Sequence, residues 1–197
     1  TILLIIPASA LLLNIHLTMS GNYSKLIWSP AVRFIFAGCS LLGAYWALGA
    51  INALPTVNAV TNFSDINTAL NILGFNGFFT LTALGAIYFI VPRVTGKEWV
   101  CSKSISRHFW LTTSGILVSS TSLLLGGFIQ GFALSDPGIN FKSSIDFMIP
   151  FRFMSIIGSL LGVAGNFVFL RLLIGTLLTT SHSVKAPATL TEEPMEE

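Results

Sequence analysis

Long apolar runs separated by short polar segments dominate the chain. Five such runs cover residues 2–18, 31–54, 67–91, 109–134 and 151–178. The last four are about 20 residues or longer, the length that a helix needs to cross roughly 30 Å of hydrocarbon. The first is shorter, and the chain begins at Thr1 without a methionine, which leaves an upstream segment open. The pattern predicts an all-α integral membrane bundle of about five transmembrane helices.

Composition agrees with a membrane protein and separates the tail from the bundle. Hydrophobic residues make up 53% of the chain and charged residues only 9%, with a mean hydropathy of +0.79, outside the range of an ordinary soluble domain. The segment after residue 180 differs, because it carries two prolines and four glutamates and little apolar surface. We therefore predict a transmembrane helical bundle over residues 1–180 and a disordered acidic tail over residues 181–197.

Basic residues between the runs are unevenly distributed. If the runs alternate in direction, one side receives only Lys142 and Arg152, beside Asp65, Asp136 and Asp146. The other side receives Lys25, Arg33, Arg93, Lys97, Lys103 and Arg107. Cytoplasmic loops collect Lys and Arg, so loops 19–30 and 92–108 and the C-terminal tail are predicted to be cytoplasmic. No aromatic residues interleave these charges as a nucleic-acid surface would require, and nucleic acid is not an expected partner.

Polar side chains inside the runs are few. They are Asn71, Asn76, Gln130, Asn166 and Arg171. No carboxylate lies deep in a run, which disfavours a proton relay or an ion-coupled transporter. We expect the asparagines to join helices by hydrogen bonds, and Arg171 to extend its charged end toward the predicted cytoplasmic surface.

Histidine and cysteine offer little to a metal. His16, His108 and His182 lie at the edges of the runs or beyond them, whereas haem-binding histidines project from within membrane helices. Cys39 lies inside the second run and Cys101 in a basic loop, so a disulfide between them is not expected. Two lone cysteines cannot form a closed metal site. The sequence predicts no metal site in this chain.

Glycines recur in the last four runs at spacings that bring them onto helix faces. Gly158 and Gly162 form a small-xxx-small pair, and similar groups occur at residues 38–49, 74–85 and 126–131. Small residues let helix backbones approach closely in lipid, where hydrophobicity cannot drive association. These glycines predict close helix–helix contacts, either internal or with partner chains.

Short motifs along the chain carry a family resemblance. They are SPAVRF at residues 29–34, VNA at 57–59, GAIY at 85–88, PRVTGKEW at 92–99, HFW at 108–110 and GGFIQG at 126–131. In order and spacing the chain resembles the C-terminal part of the catalytic subunit of the cbb-type (C-family) haem-copper oxidases, relatives of the nitric oxide reductases. The resemblance implies the last helices of that subunit, a bacterial inner (plasma) membrane, and partner subunits of a respiratory complex.

One region departs from the resembled family. There, Thr-His-Phe-Thr-Asp-Trp is followed by Gly-His-Ala-His-Leu-Gly, whose two histidines bind two haems from opposite faces of one helix. Here the first stretch reads TNFSDI and the second ALNILG, so Leu70 and Ile72 replace the two ligands and Asn62 replaces the first histidine. Aliphatic side chains have no lone pair for iron. The region is therefore interpreted as vestigial rather than as a working site, and its residues are Asn62, Asp65, Leu70, Asn71 and Ile72.

Three functions remain open at this point. The lost histidines favour a haem-free, non-catalytic structural or assembly subunit of a membrane respiratory complex, with haem and copper confined to partner chains. The second reading is the C-terminal portion of a split catalytic subunit of a cytochrome c oxidase or nitric oxide reductase, since the resemblance assigns the copper ligands to upstream helices. The third is a small-molecule carrier or channel, which requires a polar path. Other membrane subunits and lipids are the expected partners, and no catalytic or cofactor-binding residue is predicted.

Overall fold

The computed structural model describes residue 3 and residues 5–178, and this part of the chain is built of helices. The helices are α1 (Ile5–Met19), α2 (Lys25–Trp28), α3 (Pro30–Asn52), α4 (Pro55–Thr61), α5 (Ile66–Asn71), a π-helical segment (Ile72–Thr80), α6 (Leu81–Thr95), α7 (Ser102–Ser135), α8 (Phe141–Asp146) and α9 (Ile149–Leu178). The all-α prediction is confirmed. The predicted tail, 181–197, and His182 lie outside the described residues.

Four helical stretches are long and apolar enough to cross a membrane. They are Pro30–Asn52, Ile66–Thr95, Ser102–Ser135 and Phe141–Leu178, whereas α1 is apolar but has only 15 residues. Many large apolar side chains on these stretches are exposed, among them Phe75, Phe79 and Phe167. In water such a surface would drive aggregation, but it suits contact with lipid. The protein is a multi-pass membrane protein.

Local sequence signals set the helix ends. Pro30 occupies the first position of α3, where its missing N–H costs nothing, and the Ser29 hydroxyl accepts a hydrogen bond from the Val32 N–H at 3.5 Å. Helix α6 ends at Gly96, which has a left-handed φ of 65° and donates its N–H to the Pro92 carbonyl at 2.9 Å. These signals set the start of α3 and the end of α6 at the borders of polar loops.

Consecutive long helices run antiparallel and meet at several of the predicted glycines, although a Cβ added to Gly49 or Gly162 would meet nothing within 4 Å. A Cβ added to Gly77 of the π-helical segment would lie 3.0 Å from the Leu41 side chain of α3. On α7, a Cβ added to Gly115 would lie 2.6 Å from the Gly158 carbonyl oxygen of α9. Helices α7 and α9 therefore touch through backbone, and a larger residue at Gly115 would separate them.

His108 lies inside a helix that begins before the predicted apolar run. Helix α7 begins at Ser102, about two turns before the predicted span, so His108 is inside a long helix and its side chain is 0% exposed. The helix therefore starts before the apolar run, and the position of His108 relative to the membrane boundary stays a prediction. Because Lys103 and Arg107 are charged, residues 102–108 were predicted to be part of a loop. Both side chains are in fact exposed on the first two turns of α7.

The two ends of the bundle differ in charge. The Lys97 ammonium donates to the Leu177 carbonyl at 2.7 Å, so the α6–α7 connection and the end of α9 lie at the same end. We call it the basic end, and it also carries Arg107. At the opposite end Arg152 contacts Asp65. The alternation of spans assumed in the sequence analysis therefore holds, while the assignment of the basic end to the cytoplasm stays a prediction.

Candidate functional site

The corner between α4 and α5 carries Asn62 and Asp65, two of the residues interpreted as vestigial. Asn62 ends α4, donates its N–H to the Asn58 carbonyl at 2.9 Å, and has an exposed side chain. The Asp65 N–H donates to the buried Gln130 side-chain oxygen at 3.0 Å, and its carboxylate accepts from the Arg152 Nε at 2.8 Å. Polar groups on α7 and α9 thus hold this corner from two sides.

The GGFIQG motif explains how the corner sits directly on α7. A Cβ added to Gly131 would lie 2.5 Å from the Val60 carbonyl oxygen, and one added to Gly127 would lie 2.7 Å from the Ile66 nitrogen. Both glycines are therefore required for backbone contact between α7 and the corner. Gln130 lies between these two glycines in sequence. Its side-chain oxygen accepts a hydrogen bond from the backbone N–H of Asp65, the residue immediately before α5.

An asparagine–threonine network fixes the same corner to the end of α3. The buried Thr61 hydroxyl donates to the Asn52 side-chain oxygen at 2.5 Å, and the Asn52 amide donates to the Asn67 side-chain oxygen at 3.2 Å. These contacts join α3, α4 and α5. No motif in the sequence marks Asn52 or Asn67, and only the fold brings them together.

Leu70 and Ile72, the two positions compared above with the family's haem ligands, lie at the junction of α5 and the π-helical segment. Leu70 is buried, with 6% of its surface exposed. Ile72 is half-buried and packs against two core clusters, one around Leu81 and Tyr88 and the other formed by Ala69, Leu123 and Met148. Asn71, between them, is exposed. The two aliphatic side chains therefore contribute to helix packing.

A polar cleft of roughly 300 Å³ opens beside Ile72, between the π-helical segment, α7 and α9. Gly115, Gly158 and Gly162 form part of its wall. Its polar lining consists of Asn76, Thr80, Thr112, Ser119, Ser159 and Asn166. Uncommon π-helical turns often occur at functional sites. We call this feature the polar cleft.

The polar groups of the cleft are only partly satisfied. The Ser119 and Ser159 hydroxyls both donate to the Ser155 carbonyl, at 2.9 and 3.0 Å. By contrast, the Thr112 hydroxyl is buried and has no hydrogen-bond partner in the part of the chain that the structure describes.

The asparagines differ from the sequence expectation. The side-chain amides of Asn71, Asn76 and Asn166 form no hydrogen bond with another described residue, so the expectation that they join helices was wrong. Asn76 and Asn166 instead have exposed side chains at the polar cleft, and Asn71 is exposed beside it. Interhelical hydrogen bonds need matching depth and rotation on two helices, which one segment of sequence cannot show.

A buried tyrosine–histidine pair lies nearer the basic end. The Tyr88 hydroxyl and His108 Nδ1 are 2.8 Å apart, and the His108 ring lies between Phe34 and Phe169 with centroid distances of 5.1 and 5.2 Å. Trp99 donates its indole N–H to the Tyr88 carbonyl at 3.2 Å. Two of the motifs quoted above, GAIY and HFW, each supply one member of the pair. The presence of Tyr88 and His108 in two such motifs is a signal in the sequence that was not interpreted as a buried pair.

The cysteines provide a further chemical group, and one of them, Cys101, lies at the basic end. Within residue 3 and residues 5–178, no group of three or more His, Cys, Asp or Glu side chains could hold a metal ion. Cys39 is a buried free thiol, and Cys101 is a half-buried free thiol immediately before α7. A hydrogen bond from the Ser104 hydroxyl lowers the pKa of Cys101, and Arg107 adds a smaller electrostatic effect of the same sign.

Residues 1–161 match the sequence model of the family described as Cytochrome C and Quinol oxidase polypeptide I. The cbb3-type cytochrome c oxidase subunit CcoN1 of Stutzerimonas stutzeri is 30% identical over 175 residues, which cover 85% of this chain and 37% of that protein. A cytochrome c oxidase subunit 1 homolog of Azorhizobium caulinodans is 25% identical over 203 residues, covering 100% of this chain and 37% of that protein. The chain therefore spans little more than a third of the length of these relatives.

Proposed function

Because the chain belongs to the cytochrome c and quinol oxidase polypeptide I family, we propose that it is a haem-free, non-catalytic structural or assembly subunit of a membrane respiratory complex. Haem and copper, in this proposal, are held by an oxidase-like partner. The observation that carries the proposal is the presence of Leu70 and Ile72 where the resembled oxidases carry haem-binding histidines. Neither side chain has an atom that can donate electrons to iron.

His108, the buried histidine of the described chain, does not fit a haem either. The His108 Nε2 is unpartnered within the described chain, but the ring is fully buried between Phe34 and Phe169. An axial ligand needs open space for a porphyrin in front of its nitrogen, and here aromatic rings fill the surroundings. His16 is exposed on α1, with its Nδ1 2.9 Å from the Leu12 carbonyl oxygen and its ring against Phe36 at 5.2 Å.

The polar cleft supports a packing role. In hydrocarbon, the unpartnered Thr112 hydroxyl and the exposed amides of Asn76 and Asn166 are costly unless another group binds them. A Cβ added to Gly162 would meet nothing within 4 Å, so the backbone at the cleft is open to close approach. We propose that a transmembrane helix of the partner covers the cleft and supplies a polar side chain.

The same proposal includes an orientation. The bundle lies in a bacterial inner membrane with its basic end in the cytoplasm, because loops rich in Lys and Arg are retained there. The contact of Lys97 with Leu177 supports a common side for the α6–α7 connection and the end of α9.

The test is one histidine-free variant purified in the native complex. The co-purifying chains are identified by mass spectrometry, and haem is quantified by its visible absorption against each chain. We expect the complex carrying His16→Ala, His108→Phe and His182→Ala to retain the haem content of the unaltered complex. A variant complex that keeps its subunits but loses haem would contradict the haem-free assignment.

A second candidate is the C-terminal portion of a divided catalytic subunit. The observation favouring it is that the family motifs retained here, such as SPAVRF and GGFIQG, resemble the C-terminal part of the catalytic subunit. It predicts that a second chain supplies the remaining part, and that deleting this chain abolishes haem incorporation in its partner. Retention of partner haem after deletion would reject this candidate and leave the structural role.

A further inference from the structure

A second groove lies at the basic end, between the start of α7 and the end of α9. Its volume is roughly 830 Å³. Arg107 lies five residues after the start of α7, and Arg171 lies seven residues before the end of α9. At 1.5 Å per residue, both are about 8 to 11 Å from the same end of the bundle. Two guanidinium groups on neighbouring helices therefore line the groove at similar depth.

The rest of the groove is mostly apolar. Phe167, Leu170 and Ile174 of α9 are exposed along it, on the side of the helix that faces lipid. Arg171 is itself exposed and forms no hydrogen bond or ion pair with another described residue. A cationic end beside an apolar wall matches a ligand that is anionic at one end and apolar along its length.

An adjoining groove extends the cationic surface around α7. It has a volume of roughly 650 Å³ and is lined by Lys103, Arg107 and Trp110 among others. Lys103 and Arg107 are four residues apart, so they share one face of the helix. Trp110 is 65% exposed, the position of an aromatic residue at a membrane interface. Arg107 thus lies between the two grooves.

We propose that the paired grooves bind an anionic phospholipid. Its phosphate lies between Arg107 and Arg171, because guanidinium groups form charge-assisted, often bidentate hydrogen bonds to phosphate. An acyl chain follows the wall formed by Phe167, Leu170 and Ile174. Basic pockets between transmembrane helices are suited to anionic headgroups. The inference depends on the membrane span alone, so it stands or falls separately from the haem-free assignment.

The experiment measures the thermal stability of the purified full chain as phospholipid is titrated into detergent. We expect phosphatidylglycerol and cardiolipin to raise the melting temperature, and phosphatidylcholine to have little effect. Replacing both cations, in Arg107→Gln/Arg171→Gln, should weaken the apparent affinity for anionic lipid at least about tenfold. The melting temperature without lipid shows whether this variant is folded.

The matched control is Lys25→Gln/Arg93→Gln, which removes the same charge from the same end but outside both grooves. It should keep the affinity of the unaltered chain. An equal loss in both double variants would show a non-specific charge effect and overturn the proposal. Equal stabilisation by inorganic phosphate would also overturn it, because the apolar wall would then contribute nothing.

The acidic tail, residues 181–197, is the alternative occupant of the two grooves that remains to be tested. A chain ending at residue 180 lacks all four glutamates of the tail. We expect its affinity for anionic lipid to equal that of the full chain. A gain of tenfold or more on truncation would instead assign the grooves to the tail and reject the lipid as their resident ligand.

Discussion

Arg152, in the first turn of α9, donates a hydrogen bond from Nε to the Asp65 carboxylate at 2.8 Å, across 87 residues of sequence. The two side chains are 49% and 21% exposed, so water screens their attraction. On the other side of the corner, the Asp65 N–H binds the buried Gln130 side chain. The corner that carries Asn62 and Asp65 is therefore held by one solvated ion pair and one partly buried hydrogen bond.

These two contacts should differ in their contribution to stability. Arg152→Gln is expected to lower the free energy of unfolding by no more than about 1 kcal/mol, as for other exposed ion pairs. Gln130→Leu leaves the Asp65 N–H without its partner and should cost about 1–3 kcal/mol. Equilibrium unfolding in detergent micelles measures both, with Lys142→Gln at the same end as control. A larger loss for Arg152→Gln than for Gln130→Leu would contradict this ranking.

Gly131 should not tolerate a side chain. Gly131→Ala places a Cβ where the Val60 carbonyl oxygen lies 2.5 Å away, and the resulting displacement of the corner should cost about 1–3 kcal/mol of unfolding free energy. Gly49→Ala in α3 is the matched control, because its Cβ would meet nothing within 4 Å. That variant should be neutral or gain up to about 1 kcal/mol from helix propensity. Equal effects at the two positions would argue against backbone contact at the corner.

Tyr88 and His108 should be energetically coupled. Tyr88→Phe leaves the His108 Nδ1 without a partner in a buried site and should cost about 1–3 kcal/mol of unfolding free energy. In a double-mutant cycle with His108→Phe, the coupling energy should be about 1 kcal/mol, since the second change removes the stranded group. Additive losses would show that the 2.8 Å contact contributes nothing.

Cys101 should react as a thiolate at lower pH than an ordinary cysteine. The Ser104 hydroxyl hydrogen-bonds the sulfur and lowers the pKa of the Cys101 thiol, so the thiolate fraction rises earlier as pH increases. Ser104→Ala should raise that pKa and slow maleimide labelling at neutral pH. The rate is measured against pH in a Cys39→Ser background, so that only Cys101 can react. An unchanged pH midpoint in Ser104→Ala would exclude the hydrogen bond as the cause.

Histidine introduced at Leu70 and Ile72 should not produce haem binding or oxidase activity. Leu70→His/Ile72→His places two imidazoles in positions that now pack against other helices, and the other ligands of the resembled family are assigned to upstream helices. We expect no haem absorption from the purified variant and no oxygen consumption. Stoichiometric haem bound to this double variant would show that the cofactor space persists.

Helix positions were predictable because helix formation in lipid is a local matter. Each spanning segment satisfies its own backbone hydrogen bonds, so apolar length alone indicates a span. Helices α3 and α9 begin and end within about two residues of the predicted runs. The start of α7 was missed because Lys103 and Arg107 interrupt the apolar pattern, although their exposed side chains are compatible with a helix.

The sequence by itself determined the membrane class, the approximate spans, the family motifs and the replacement of two ligand positions by Leu70 and Ile72. Each of these depends on side-chain chemistry or on periodicity along one segment. Only the tertiary structure decided which polar groups find partners: Asp65 binds Gln130 and Arg152, whereas the amide of Asn166 remains at an open cleft. Those outcomes depend on the depth and rotation of helices distant in sequence, and packing across the whole bundle fixes both.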